Sequence, residues 1–237
     1  MATPLNFLLH NPIFSPIRVA GWSVLNKVLT HYDMAIGPAD KDANRAHAYE
    51  LIHQIRQQTS MVILDTEAYN IYRSVERTGK VPGDLAEVGV FRGGSAHLIC
   101  EAKGSRTLHL FDTFAGLPKA GEWDPKFQQG GFASSLGEVQ AYLQSFAKVH
   151  FHPGLFPETA SGLEQCMFSF VHLDADLYQS TLSGLEWFYP RMNRGAILIS
   201  HDYSTAQGVR KAFEDFFAEK PECLLELSGS QVAFVKL

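Results

Sequence analysis

Glu87-Val88-Gly89-Val90-Phe91-Arg92-Gly93-Gly94-Ser95 follows the apolar pair Leu85-Ala86 and opens onto Ala96, Leu98 and Ile99 at helical spacing. A strand that turns through glycines into a helix lets a ligand approach the backbone, and the helix start adds free N–H groups and a partial positive charge. Glycine spacing narrows the ligand. A dinucleotide loop needs G-x-G-x-x-G, whereas three residues separate Gly89 from Gly93. A phosphate-binding loop needs Lys and Ser/Thr where Ser95 and Ala96 stand, and without that lysine a polyphosphate loses its main cation. The pattern that remains is E-x-G-x-x-x-G, with Asp112 closing the next strand 18 residues after Gly94. A carboxylate in that place accepts both hydroxyls of a ribose. A ribose without a polyphosphate suggests S-adenosylmethionine, with Glu87 suited to its cationic or amino end. The alternative is a glycine turn that only packs tightly, with Asp112 as a cap.

Outward from this turn, the spacing predicts strands over 84–90, 107–112, 149–152, 168–173, 196–200, 224–227 and 232–235, separated by helical segments. Such alternation implies right-handed βαβ crossovers and a doubly wound α/β fold with a seven-stranded, mostly parallel sheet. Only Ser228-Gly229-Ser230-Gln231 separates the last two strands, so they are expected as an antiparallel hairpin. Before residue 80 the chain reads as helices. Ile17, Ala20, Val24 and Val28 share one face over 17–32, as do Ala48, Leu51, Ile52 and Ile55 over 40–58, and a third segment over 65–78 stops at Gly79. The expected division is a helical cap or oligomerisation region over 1–79 and a cofactor-binding domain over 80–237. The stretch 119–137, with Gly121, Pro125, Gly130, Gly131 and Gly137, reads as a lid or binding loop. Trp123 and Phe127 would exclude water and face the acceptor, or else simply anchor the loop.

The 237 residues are 46% hydrophobic and 19% charged, enough for one large domain or one domain with an appendage, but not for two full-sized ones. With 20 Lys+Arg against 25 Asp+Glu, the net charge of −5 provides no general field for nucleic acid or anionic lipid. Cys100, Cys166 and Cys223 are odd in number and scattered, a pattern of neither a disulfide framework nor a zinc site, which fits a reduced cytoplasmic compartment. No run is long and apolar enough to span a bilayer, and Met1 to Phe14 lacks the basic start of a signal peptide.

A second constellation lies further on. The apolar run Phe168-Ser169-Phe170-Val171-His172-Leu173 ends in Asp174-Ala175-Asp176, and the next strand ends in His201-Asp202-Tyr203. Ligands of doubly wound sheets lie outside the carboxyl ends of the strands. Asp174, Asp176, His201 and Asp202 are therefore expected to converge beside the glycine turn, where they can bind a divalent cation or serve as general base on an acceptor hydroxyl. The alternative is that Asp176 caps the following helix and Asp202 ends its strand in solvent.

Gly83-Asp84-Leu85-Ala86-Glu87-Val88-Gly89-Val90-Phe91-Arg92-Gly93-Gly94, Leu110-Phe111-Asp112-Thr113-Phe114-Ala115-Gly116-Leu117-Pro118 and Leu173-Asp174-Ala175-Asp176-Leu177-Tyr178-Gln179-Ser180-Thr181 resemble the macrocin O-methyltransferase family of class I S-adenosylmethionine-dependent methyltransferases. The resemblance runs from about Thr59 to the C-terminus. It implies a Rossmann-like sheet with a terminal hairpin, S-adenosylmethionine as cofactor, and methylation of a hydroxyl on a small molecule, a sugar or glycosylated natural product, with help from a divalent metal, usually magnesium. By position it implies a cofactor loop of Glu87, Gly89, Phe91, Arg92, Gly93, Gly94 and Ser95. Asp112 would hold the ribose with Thr113 and Phe114 beside it, and Gly154, Leu155 and Phe156 would flank the adenine. Asp174, His201 and Asp202 stand at the family's metal-binding acids. The family commonly reads Asp-Asp-Tyr where this chain has His201-Asp202-Tyr203, and an imidazole is expected to weaken magnesium or favour manganese, iron or zinc. Alternatively Asp176 supplies the missing oxygen, or His201 is the base without a metal. Asp174 is the first candidate for base and His201 the second, in an in-line transfer of the sulfonium methyl group. A homodimer or higher homo-oligomer is expected. The rival reading, motivated by His201, is a non-catalytic adenosylmethionine-binding or scaffold protein of a biosynthetic pathway.

Overall fold

Alternation of side chains along each strand sorts the apolar residues onto two faces, and this sorting organises residues 43–237, the part of the chain that the computed structural model describes. The strands are β1 (Asp84–Val88), β2 (Leu108–Asp112), β3 (Val149–Pro153), β4 (Phe168–Leu173), β5 (Met192–Ser200), β6 (Leu225–Glu226) and β7 (Val232–Val235). They form one seven-stranded sheet in the order β3-β2-β1-β4-β5-β7-β6. β1 to β5 pair in parallel, whereas β7 runs antiparallel to both β5 and β6. The helices are α1 (Ala43–Gln58), α2 (Asp65–Arg77), α3 (Gly94–Ala102), α4 (Leu136–Leu143), α5 (Tyr178–Phe188) and α6 (Gln207–Phe217).

Leu85, Leu108, Leu110, Phe170 and Ile199 point to one face, where Ile52 and Ile55 of α1, Ile71 and Val75 of α2, and Leu98 and Ile99 of α3 cover them. Their neighbours along the strands, Ala86, Phe111, Val171 and Leu198, point to the other face and meet Leu185 and Phe188 of α5 and Val209 and Phe213 of α6. Phe188 is fully buried in a cluster of rings with Phe111, Phe156 and Phe168. Truncating such a side chain costs about 3–5 kcal/mol.

The two helices before residue 80 thus belong to the layers of the sheet. Asn44–Leu237 form one compact unit, so the division expected near residue 80 falls inside that unit. The reason is the apolar stripe of each helix: Ala48, Ile52 and Ile55 of α1 and Ala68, Ile71 and Val75 of α2 are buried in the same core cluster as Leu85, Leu98 and Leu108. The helix expected over 17–32 lies outside the described residues. β5 begins at Met192, earlier than the expected 196, because Met192 already pairs with Phe168 and the left-handed Gly195 (φ 86°) still donates its N–H to the Lys236 carbonyl. The hairpin forms as expected, with β6 reduced to two exposed residues at the sheet edge.

The chain leaves β1 first toward β2 and β3, then crosses to β4 on the opposite side. This places the topological switch point, the crevice where such sheets bind ligands, between the carboxyl ends of β1 and β4.

Candidate active site

The glycine turn sits in that crevice. Gly89 (φ 89°) passes so close to β4 that a Cβ on it would lie 1.8 Å from the carbonyl oxygen of Asp174. The Asp174 N–H in turn donates to the Val88 carbonyl at 2.8 Å. Gly93, left-handed at φ 78°, leads into α3. Asp112 fastens this turn to the end of β2. Its Oδ2 accepts from the Val90 and Phe91 amides at 2.7 and 2.8 Å, and its Oδ1 accepts from the Phe114 amide at 2.7 Å. Phe91 and Phe114 are left-handed (φ 48° and 55°), a strain of order 1–3 kcal/mol each that these bonds help to hold. Each carboxylate oxygen has more than one acceptor site, so Asp112 is fixed by the backbone and still faces the cleft.

The cleft has a volume of about 240 Å³. One wall is Gly89, Phe91, Gly94, Ser95, Asp112 and Thr113, a second is Gly154, Leu155 and Phe156, and Asp174, Asp176, His201 and Asp202 close the far end. Phe127 lines it from the long loop, and Ser60, Met61, Val62 and Ile63, between α1 and α2, complete it. Met61 packs where a Cβ on Gly94 would stand.

Five of the expected residues are not part of this lining. Glu87 is fully buried, with Oε1 2.8 Å from Nδ1 of His172, while its Oε2 and His172 Nε2 have no partner. Burial pushes the Glu87 carboxyl above its ordinary value, against the lowering effect of His172. Gly93 packs on Val139 of α4, Phe114 is buried in the core, and Arg92 lays its guanidinium over the Phe91 ring at 5.4 Å. Trp123 lies against Tyr178, with the Lys211 ammonium 5.5 Å from its ring.

The long loop is folded onto the body. Leu117 exchanges backbone hydrogen bonds with Gly130 and Gly131. Asp124, 3% exposed, accepts from the Tyr178 amide at 3.0 and 3.2 Å and so caps α5 from a distance. Gly208 leaves room for it, since a Cβ there would meet Asp124 Oδ1 at 1.9 Å. Trp123 therefore anchors the loop while Phe127 reaches the cleft.

At the far end, His201 Nδ1 lies 3.5 Å from Asp174 Oδ1 and 3.1 Å from Asp202 Oδ2. Among the described residues, Asp174, His201 and Asp202 form a group whose ligand atoms lie within 4.8 Å of one another. Burial would lower the His201 pKa, but the Asp174 charge and hydrogen bonds to Asp174, Asp202 and Glu67 override it and hold the pKa far above the usual imidazole range. Burial together with the charges of Asp174 and Asp202 pushes the Asp176 carboxyl up to about 9. The other nitrogen of His201, Nε2, lies 3.1 Å from Oε2 of Glu67, on α2.

Glu67, the Ser60–Ile63 segment and Asp124 were not among the residues singled out from sequence. Glu67 carries a visible signal, since it stands four and eight residues before Ile71 and Val75, a charge on the buried stripe of an amphipathic helix. Asp124 carries none beyond its place in the loop.

A parallel sheet with an antiparallel seventh strand, a glycine turn at the switch point and an acid closing β2 define the class I methyltransferase fold. The family model described as Macrocin-O-methyltransferase (TylF) matches residues 40–224, and the chain belongs to that family. It is 33% identical to 8-demethyl-8-(2,3-dimethoxy-alpha-L-rhamnosyl)-tetracenomycin-C 4'-O-methyltransferase of Streptomyces olivaceus, over 57% of this chain and 58% of that one. It is 30% identical to demethyldecarbamoylnovobiocin O-methyltransferase of Streptomyces niveus, over 63% of this chain and 64% of that one. The matched part of the chain thus spans less than two thirds of each of these relatives. Among solved structures, the O-methyltransferase NovP superposes with a TM-score of 0.65 at 26% identity, over 90% of this chain and 97% of that one. The calicheamicin methyltransferase CalS11 shares the fold, with a TM-score of 0.63 at 19% identity over 84% and 99%. No helix among the described residues is long and apolar enough to cross a membrane.

Proposed function

We propose that the chain is an S-adenosylmethionine-dependent O-methyltransferase acting on a hydroxyl of a small-molecule acceptor, a sugar or glycosylated natural product. The observation that carries this reading is the contact between Gly89 and Asp174. The turn suited to the methyl donor and the acid suited to the acceptor are packed backbone to backbone, so the two reactants would meet in one cleft. The acceptor class is supported by the relatives, whose names specify O-methylation of a rhamnosyl-bearing tetracenomycin and of demethyldecarbamoylnovobiocin. A cytoplasmic setting is supported by three cysteines that are all free.

S-adenosylmethionine, when bound, supplies an electrophilic methyl group on a cationic sulfur. Asp112 would hold the ribose, Phe156 and Leu155 would give the adenine an apolar wall, and Phe127 would exclude water from the transfer. Asp174, partly open to the cleft, would take the acceptor proton as the hydroxyl oxygen attacks the methyl carbon in line with sulfur. The residues fit a divalent ion. Asp174, His201 and Asp202 would hold it through two oxygens and one nitrogen, and such an ion acidifies a bound hydroxyl. A nitrogen in this set favours manganese, iron or zinc over magnesium.

The test is transfer of labelled methyl from S-adenosylmethionine to a panel of deoxysugar glycosides. Label on an acceptor hydroxyl, lost in Asp174→Asn, is the expected result. Cofactor binding with no transfer to any glycoside would favour the non-catalytic reading.

A further inference from the structure

We propose that Glu67 is a positioning residue that keeps a ring proton of His201 on Nε2 and aims Nδ1 at Asp174 and Asp202, so that a metal displaces the Nδ1 proton and the site selects a divalent transition ion over magnesium. The proposal rests on the metal site of the methyltransferase reading above and names a residue outside its ligand set.

Glu67 has little freedom. It is 1% exposed, its Oε1 accepts from the Ser230 amide at 2.6 Å and the Ser230 hydroxyl at 2.8 Å, and its Oε2 accepts from the Leu64 amide at 2.7 Å. Gly229 is what lets the β6–β7 turn come so close, since a Cβ there would lie 2.4 Å from Oε1. A carboxylate held by three donors is an acceptor only. The imidazole nitrogen 3.1 Å from its Oε2 must therefore be the donor, so the proton that a metal displaces is the one on Nδ1, between Asp174 and Asp202. This is the arrangement in which a carboxylate behind a ligating histidine sets its tautomer and orientation.

The far side of the ring is equally determined. Asp202 is left-handed (φ 62°), its Oδ1 is taken by the Thr205 hydroxyl at 2.7 Å, and its Oδ2 is left facing His201. Ser230 joins the two sides, donating its hydroxyl to Glu67 and accepting from the Asp202 amide at 3.2 Å. The separations of 3.1 and 3.5 Å from Nδ1 to the two carboxylate oxygens fall in the range of octahedral to tetrahedral edges for metal–ligand distances of about 2.0–2.2 Å, roughly 2.8–3.6 Å. One imidazole and two carboxylates suit manganese, iron or zinc, whereas magnesium prefers oxygen throughout.

The experiment is calorimetric titration of metal-free protein with Mn2+, Zn2+ and Mg2+, together with the 15N shifts of His201 in the zinc-loaded wild type. The wild type is expected to bind Mn2+ and Zn2+ at least about tenfold more tightly than Mg2+. Glu67→Gln should weaken both transition ions by about 10–100-fold, because the amide can donate to Nε2 and drive the proton to Nδ1. In a His201→Asp background, where there is no tautomer to set, Glu67→Gln should leave the affinity unweakened, which a merely structural role would not explain. Equal affinities of wild type and Glu67→Gln, with loss in Asp174→Asn, would overturn the role of Glu67 and leave the metal site standing. No uptake of any ion by wild type would overturn the metal site itself. Should Glu67→Gln fail to fold, the zinc-loaded wild type still decides, since a proton on Nδ1 contradicts the proposal and one on Nε2 supports it.

Discussion

The two halves of the cleft are built from different material. The half around β1 and β2 is made of backbone: glycines that admit close approach, a helix start, and an aspartate whose oxygens are held by three amides. The half at the ends of β4 and β5 is made of charged side chains that hold one another, with His201 between Asp174, Asp202 and Glu67. A backbone site is specified locally, because a turn needs its glycines wherever the rest of the chain goes. A side-chain site depends on partners from distant segments. Glu67 and His201 are 134 residues apart in the chain.

The sharpest way to break the comparison is Gly89→Ala, which strikes where the halves are packed backbone to backbone. With φ at 89° and the Asp174 oxygen 1.8 Å from the new Cβ, the loss should exceed about 3 kcal/mol of stability, read by denaturant unfolding, and S-adenosylhomocysteine binding should disappear. Asp174→Asn should separate the halves. Cofactor binding persists, and turnover falls by about 100- to 10,000-fold, measured with labelled donor. Asp124→Ala touches neither half but removes the buried cap of α5. It should cost about 1–2 kcal/mol and raise KM for the acceptor more than KM for the donor, because Phe127 loses its support. The smallest effect is acid sensitivity of the side-chain half. Burial would raise the pKa of Glu67, but the hydrogen bond and charge of His201 and the amides of Ser230 and Leu64 hold it at about 2 in the folded chain, against 4.5 as its ordinary value. Its contribution is therefore present above pH 4.5 and lost as pH falls toward 2. Unfolding curves of wild type and Glu67→Gln at pH 7 and pH 3 should differ more at the higher pH.

This contrast also explains what could be read from the sequence. Val232–Val235 is legible to the residue because Gln231 and Lys236 bound its apolar run, Phe168–Leu173 stops where Asp174 begins, and the Ser228–Gln231 gap is too short for anything but a hairpin. The family was legible from its glycine turn, F-D-T-F and D-A-D-L-Y stretches. The start of β5 was hidden because Asn193-Arg194-Gly195 reads as a turn, while pairing with Phe168 carries the strand through it. The division expected near residue 80 sets α1 and α2 apart from the sheet, whereas their buried residues share a core cluster with Leu85 and Leu108, a contact that helical spacing alone does not state. Glu87 reads as a ligand to the cofactor, yet its partner His172 lies on the next strand at a register that the sequence does not state.

The most direct test of the central claim is calorimetry with S-adenosylhomocysteine on wild type, Asp112→Ala and Asp174→Asn side by side. Micromolar binding to wild type, nearly unchanged in Asp174→Asn and weakened by at least about 100-fold in Asp112→Ala, where a charged acceptor of ribose hydroxyls and of three loop amides is removed, is the expected result. Wild type that shows no binding at high micromolar ligand, or Asp112→Ala that binds as tightly as wild type, would contradict it.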